Sequence, residues 1–105
     1  MKRYSKDLHE IIWTDNAIEG LEKLDRPVRQ RILKKVTWLK ENFEYIIPEK
    51  LMWGISGTYK LRVGDWRLIY VLMDDKLIIH ELAHRSEIYD LLRHYFTLIV
   101  PEVPL

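Results

Sequence analysis

Cysteine is absent from this chain, so neither a disulfide nor a thiolate metal site is open to it. No apolar run approaches the ~20 residues a membrane-spanning helix needs. The opening from Met1 to Glu10 is charged throughout and carries no signal-peptide pattern. Charge of one sign is lacking too. The 17 Lys and Arg residues nearly balance 16 Asp and Glu, leaving a net charge of +1. A uniformly basic surface is therefore excluded, and any nucleic-acid role must come from local clustering. Internal repeats, low-complexity tracts and linkers are missing as well. What remains is the profile of one cytoplasmic globular domain spanning 1–105, with no membrane contact.

The pattern along the chain is that of an α+β fold. Leu8 to Trp13 reads as a short strand. Thr14, Asp15 or Asn16 is suited to cap a helix whose apolar positions are Ala17, Ile18, Leu21 and Leu24. A second helix, Pro27 to Asn42, starts with Pro in its first turn. Val28, Ile32, Val36, Leu39 and Phe43 form its apolar stripe. Arg29, Arg31, Lys34, Lys35 and Lys40 lie off that stripe, as a solvated face or as a rail for RNA backbone or acidic partner residues. Phe43 to Gly57 reads as a partly buried loop. Three strands follow, at Thr58–Val63, Trp66–Met73 and Lys76–Ala83, and then a helical turn near Ser86–Arg93. The apolar tail from Tyr95 to Leu105 could cover a sheet edge or await a partner. The element order is β-α-α-β-β-β, a helical hairpin packed on an antiparallel sheet.

The turns fix a register. Gly64-Asp65 suits a two-residue turn with Gly first. That turn pairs Val63 with Trp66, Arg62 with Arg67, Leu61 with Leu68 and Lys60 with Ile69. Lys60, Arg62 and Arg67 then share one face, opposite Tyr59, Leu61, Val63, Trp66, Leu68, Tyr70 and Leu72. Like charges directly opposite are destabilising, so two facing arginines point to an anion. The Asp74-Asp75 turn pairs Met73 with Lys76, and an unbroken ladder then sets Ile69 against His80 and Arg67 against Leu82. This register brings His80 to the basic face, with His84 and Arg85 near the strand end.

The segment YKLRVGDWRLIY, the helical run PVRQRILKKV and the ending HRSEIY together resemble the RelE/ParE toxin superfamily over Ile11 to Tyr89. The resemblance implies the toxin of a type II toxin–antitoxin system, partnered by a cognate antitoxin. Two activities are known in the superfamily. RelE-like members are metal-independent endoribonucleases that cut mRNA on the ribosome. ParE-like members poison DNA gyrase without RNA-cutting residues. A degenerate toxin that keeps only antitoxin binding is a third outcome. Assembly as a homodimer or a toxin–antitoxin hetero-oligomer is compatible with each.

RNA cleavage by 2′-hydroxyl attack needs a base, positive charge on the crowded phosphate, and an acid for the leaving 5′-oxygen. Arginine's planar fork suits phosphate. The resemblance assigns Lys60 as base, Arg67 as phosphate ligand, Arg85 as acid or phosphate ligand, and Tyr89 as the residue that stacks on or positions the nucleotide. Arg62 adds phosphate charge, and His84 is an alternative to Arg85 in binding substrate. Thr58 stands where some RelE-like toxins have a second strand lysine. The acidic residues Asp65, Asp74, Asp75 and Glu87 either dampen this face or point away. No cofactor motif is present, and the spacing of His9, His80, His84 and His94 suits no metal.

Overall fold

The computed structural model describes residues 8–51, 57–91 and 93. The apolar tail and Trp53 lie outside them. A five-stranded sheet has the order β1-β5-β4-β3-β2, with β1 Glu10–Trp13, β2 Glu49–Lys50, β3 Thr58–Val63, β4 Trp66–Met73 and β5 Lys76–His84. Helices α1, Asp15–Glu22, and α2, Arg26–Asn42, form the second layer. β1 runs parallel to β5, and the other pairs are antiparallel. The expected α+β arrangement is thus present, with one added strand. β2 holds only two residues, too few for an alternating pattern, so the sequence there reads as a loop.

Local chemistry explains the helices. Thr14 takes extended backbone angles and its hydroxyl accepts from the Ala17 amide, capping α1. Asp15 in the first turn complements the helix dipole. Pro27 sits where α2 has no amide partner to lose. Ile32, Val36 and Leu39 project from α2 into the core, where Leu61, Leu68, Tyr70, Leu77 and Ile79 meet them from the sheet. Phe43, at the head of a short 3-10 turn, stands edge-on to Tyr70 with centroids 6.4 Å apart.

α1 approaches the sheet through Gly20. A Cβ there would stand 2.9 Å from the Leu82 carbonyl oxygen, a backbone atom that cannot swing aside. Gly20→Ala is expected to destabilise the fold by about 1–3 kcal/mol through overpacking. Denaturant melts check this; an unmoved midpoint would mean that α1 lifts away without cost.

The first hairpin has the expected register: Val63↔Trp66, Arg62↔Arg67, Leu61↔Leu68 and Lys60↔Ile69. Gly64 has φ +59, as the first position of this turn demands. The second hairpin begins as expected at Met73↔Lys76 and then departs. A bulge between Ile69 and Tyr70 shifts β5 by one residue, so Ile69 faces Glu81, Arg67 faces Ala83 and Trp66 faces His84. The pairings of Ile69 with His80 and of Arg67 with Leu82 are therefore corrected. Thr14 anchors the irregular place: its hydroxyl donates to the His80 carbonyl at 2.9 Å, and its amide donates to the Ile79 carbonyl at 3.1 Å. A bulge leaves one residue outside the ladder, and here a side chain satisfies that residue's carbonyl.

Because side chains alternate, one extra residue exchanges the faces of all that follow. Leu82 joins the core beneath α1, and His84 moves to the helix-bearing face. Ala83 comes to the opposite face. There Leu51, Ile69, Ala83 and Ile88 form a second, smaller apolar cluster.

Candidate anion site on the open face of the sheet

The second cluster is the floor of a cationic site. Ile69 lies between Lys60 and Glu81 in one cross-strand row, and Glu49 of β2 extends that row beyond Lys60. Ile88 packs on the floor and begins a helical turn at 88–91, which carries Tyr89. The Lys60 ammonium stands 5.9 Å from the centre of the Tyr89 ring, within cation–π range. Lys60 and Tyr89, distant in sequence, are thus brought together.

A residue outside the expected set sits among them. Glu49 takes Arg62 through a side-on fork, with Nε to Oε1 at 3.0 Å and Nη2 to Oε2 at 2.8 Å. The same Oε2 lies 3.3 Å from Lys60 Nζ. One carboxylate therefore bridges both cations. Of the acidic residues close in sequence, Asp65 dampens the expected set, because it pairs with Arg85. The Asp75 carbonyl accepts from the His9 amide. No periodicity marks Glu49, because two residues of strand cannot show any.

The Arg62 hydrogen bond holds the Glu49 carboxyl below the usual carboxylate range; partial burial opposes it, and the hydrogen bond and charge of Lys60 add to the lowering. Arg62 is shifted upward by the same hydrogen bond. A carboxyl lowered on folding binds its proton more readily when unfolded. Its contribution to stability is present above the ordinary carboxylate range and lost as pH falls through the lowered value. Melts of the wild type and Glu49→Gln at a series of pH values should differ at neutrality and converge in acid. A constant difference would remove Glu49 ionisation as the cause.

The remaining expected residues are divided. Arg62 and Arg67 are directly opposite, but their guanidinium groups part. Arg67 Nη1 donates to the carbonyls of Gly64 at 2.7 Å and Trp66 at 2.9 Å, bracing the hairpin tip. Arg85 joins that tip: its amide donates to the Asp65 carbonyl at 2.7 Å, and its Nε is 3.6 Å from Asp65 Oδ1. His84 does not join the basic face. It lies edge-on to Trp66 with centroids 5.3 Å apart, and its Nδ1 accepts from the Ser86 amide at 3.2 Å. The bulge is the reason, and the expectation of substrate binding by His84 loses its geometric basis. His80 is partly buried, and that burial lowers its pKa. Among the described residues no group of His, Asp and Glu is arranged to hold a metal.

α2 bears a groove of about 750 Å³ lined by Pro27, Gln30, Arg31, Leu33, Lys34 and Thr37. It belongs to the helical layer, so it is separate from the Lys60 site. Lys35 is occupied 4.0 Å above the Trp38 ring.

Comparison with known proteins fits this architecture. The family described as ParE toxin of type II toxin-antitoxin system, parDE, matches residues 11–89. A curated Escherichia coli protein described as a putative RelE-like toxin protein is 32% identical over 89 residues, covering 79% of this chain and 92% of its own. The isolated E. coli RelE toxin superposes with a TM-score of 0.61 at 21% identity, over 82% of this chain and 96% of that one. The RelB-RelE antitoxin-toxin complex from Methanococcus jannaschii gives 0.62 at 22% identity, over 76% of this chain and 96% of its matching chain. A helical hairpin on a five-stranded sheet, with a family match across nearly all the described residues, leads to one conclusion: the chain belongs to the RelE/ParE superfamily of type II toxin–antitoxin toxins.

Proposed function

We propose that this chain is a ribosome-dependent mRNA endonuclease that inhibits translation. The observation that carries the reading is Lys60 and Arg62 side by side on an apolar floor, with the Tyr89 ring over Lys60. The reaction needs no metal. The 2′-oxygen bonds to phosphorus, the bond from phosphorus to the 5′-oxygen breaks, and one proton passes from the first oxygen while another reaches the second. Lys60 and Arg62 neutralise the phosphate, and Tyr89, 59% exposed, offers a face on which a base can stack. At rest, Lys60 contacts Glu49 as an ammonium contacts a carboxylate, so its first service is positive charge. The base role implied by resemblance requires Lys60 to leave Glu49. Arg67, at the hairpin tip, contributes charge further along the strand, and Arg85 does so once it leaves Asp65.

A cognate antitoxin is the proposed partner, as RelB is for RelE in the M. jannaschii complex. Two experiments test the activity. Inducible expression in bacteria should produce new mRNA 5′ ends inside translated codons. Purified chain should cut mRNA only when ribosomes are present. Growth arrest without new ends would overturn the reading.

Two observations favour a second reading. The matching family is named for ParE, and Arg67 is engaged with its own hairpin. A gyrase inhibitor would induce the DNA-damage response before translation falls; an mRNA endonuclease would reverse that order.

A further inference from the structure

The Glu49 bridge has the shape of a bound phosphate. Its two oxygens meet Arg62 side-on, as phosphate oxygens do, and one of them is shared with Lys60. We propose that Glu49 sets the anion selectivity of this site. At rest its carboxylate fills the phosphate position on Lys60 and Arg62, and a polyanionic strand displaces it where an isolated phosphate does not. The proposal deepens the endonuclease reading and rests on it for the identity of the natural strand.

Three features carry the argument. The first is mobility of the competitor. Glu49 lies on a two-residue edge strand and its side chain is 41% exposed, so it can turn out into water. The second is immobility of what it leaves. The Lys60 side chain is only 11% exposed, on a central strand against the apolar floor, so it cannot follow. Once Glu49 departs, the Lys60 ammonium beside the Tyr89 ring loses the carboxylate 3.3 Å away. The third is the balance of the exchange. An isolated phosphate replaces the contacts that Glu49 already makes and gains little. A strand makes the same exchange and adds further phosphates, whose binding to nearby cations releases counterions. Arg67, directly across from Arg62, is one such cation, and Arg85 at the adjoining hairpin tip becomes another when a phosphate takes the place of Asp65. The lowered pKa of Glu49 keeps the competitor charged at neutral pH.

The test is binding by the full chain without ribosomes. Ligands are inorganic phosphate and a single-stranded 2′-deoxy oligonucleotide, which has no nucleophile and remains intact. Amide shifts of β3 locate the event. The wild type should bind the oligonucleotide and respond to millimolar phosphate weakly. Glu49→Gln and Glu49→Ala should each bind phosphate about fivefold to tenfold more tightly, the gain expected when one charge about 4 Å away is removed where water screens it almost as in bulk. Their oligonucleotide affinity should fall more steeply with salt, by about 0.7 in logarithmic slope for one more effective cation. Adding Lys60→Ala to Glu49→Gln should abolish the gain. Phosphate affinity equal to or below that of the wild type in both Glu49 variants would overturn the proposal, as would a wild type that binds phosphate as well as it binds the strand. Binding as described by a chain that cuts no mRNA would leave this assignment standing and remove the endonuclease reading.

Discussion

Lys60→Ala is expected to lower mRNA cleavage by about a hundredfold or more, the scale of losing one positioned catalytic group. The cost in stability should be small. Glu49 keeps its fork to Arg62 and its side chain stays 41% exposed, so the loss of Lys60 strands no buried charge. The lysine stem also covers part of the apolar floor, and its loss adds a modest cost. Cleavage assayed on ribosome-bound message, beside a thermal melt of the same sample, separates chemistry from folding. Lys60→Arg then divides two roles. Arginine keeps the charge and cannot transfer protons near neutrality. Recovery with arginine would assign Lys60 to charge stabilisation; continued loss, with folding intact, would assign it to proton transfer. Full activity in Lys60→Ala would move the site elsewhere on the sheet.

Tyr70→Ala should have the largest effect on folding. Tyr70 is 1% exposed and packs beside Tyr59, centroids 5.6 Å apart, and edge-on to Phe43. Its ring joins the sheet to the end of α2. Emptying a site of this size costs about 3–5 kcal/mol, a large part of the ~5–15 kcal/mol that holds a typical domain together. At roughly 4–8 °C per kcal/mol for a domain of about this size, the melting temperature should fall by at least ~12 °C. Tyr70→Phe keeps the packing and should recover most of the loss. A small shift in Tyr70→Ala would mean that neighbouring side chains collapse into the space.

Much of this architecture is legible in the amino-acid order because turn chemistry is local. Gly64-Asp65 sets the first hairpin, and the pairing of Lys60, Arg62 and Arg67 follows from it. The apolar stripe of α2 likewise announces which residues reach the core. Two features are not written locally. The bulge in β5 is held by Thr14, which lies 66 positions from His80, and no pattern within the strand signals it. That one residue accounts for the misplacement of His84. Glu49 reaches the site through a strand too short to carry a period. In both cases distant backbone, rather than side-chain pattern, decides where a side chain lies. Family resemblance pointed to Lys60 and Tyr89 together; it did not point to the carboxylate beside Lys60.

The parallel pairing of β1 with β5 has a consequence for the chain during its own synthesis. Glu10 to Trp13 finds its partners at Lys76 to Ile79. During synthesis β1 must therefore wait for β5. The two hairpins of β3, β4 and β5 can close soon after they emerge, because their contacts are near in sequence. Closure of β1 and docking of α1 through Gly20 bear the entropy of a long loop and belong to the final step. Until Thr14 reaches the His80 carbonyl, one flank of β5 remains an open edge. A nascent chain that stops short of Lys76 carries the cationic hairpin without the strand that closes the sheet behind it.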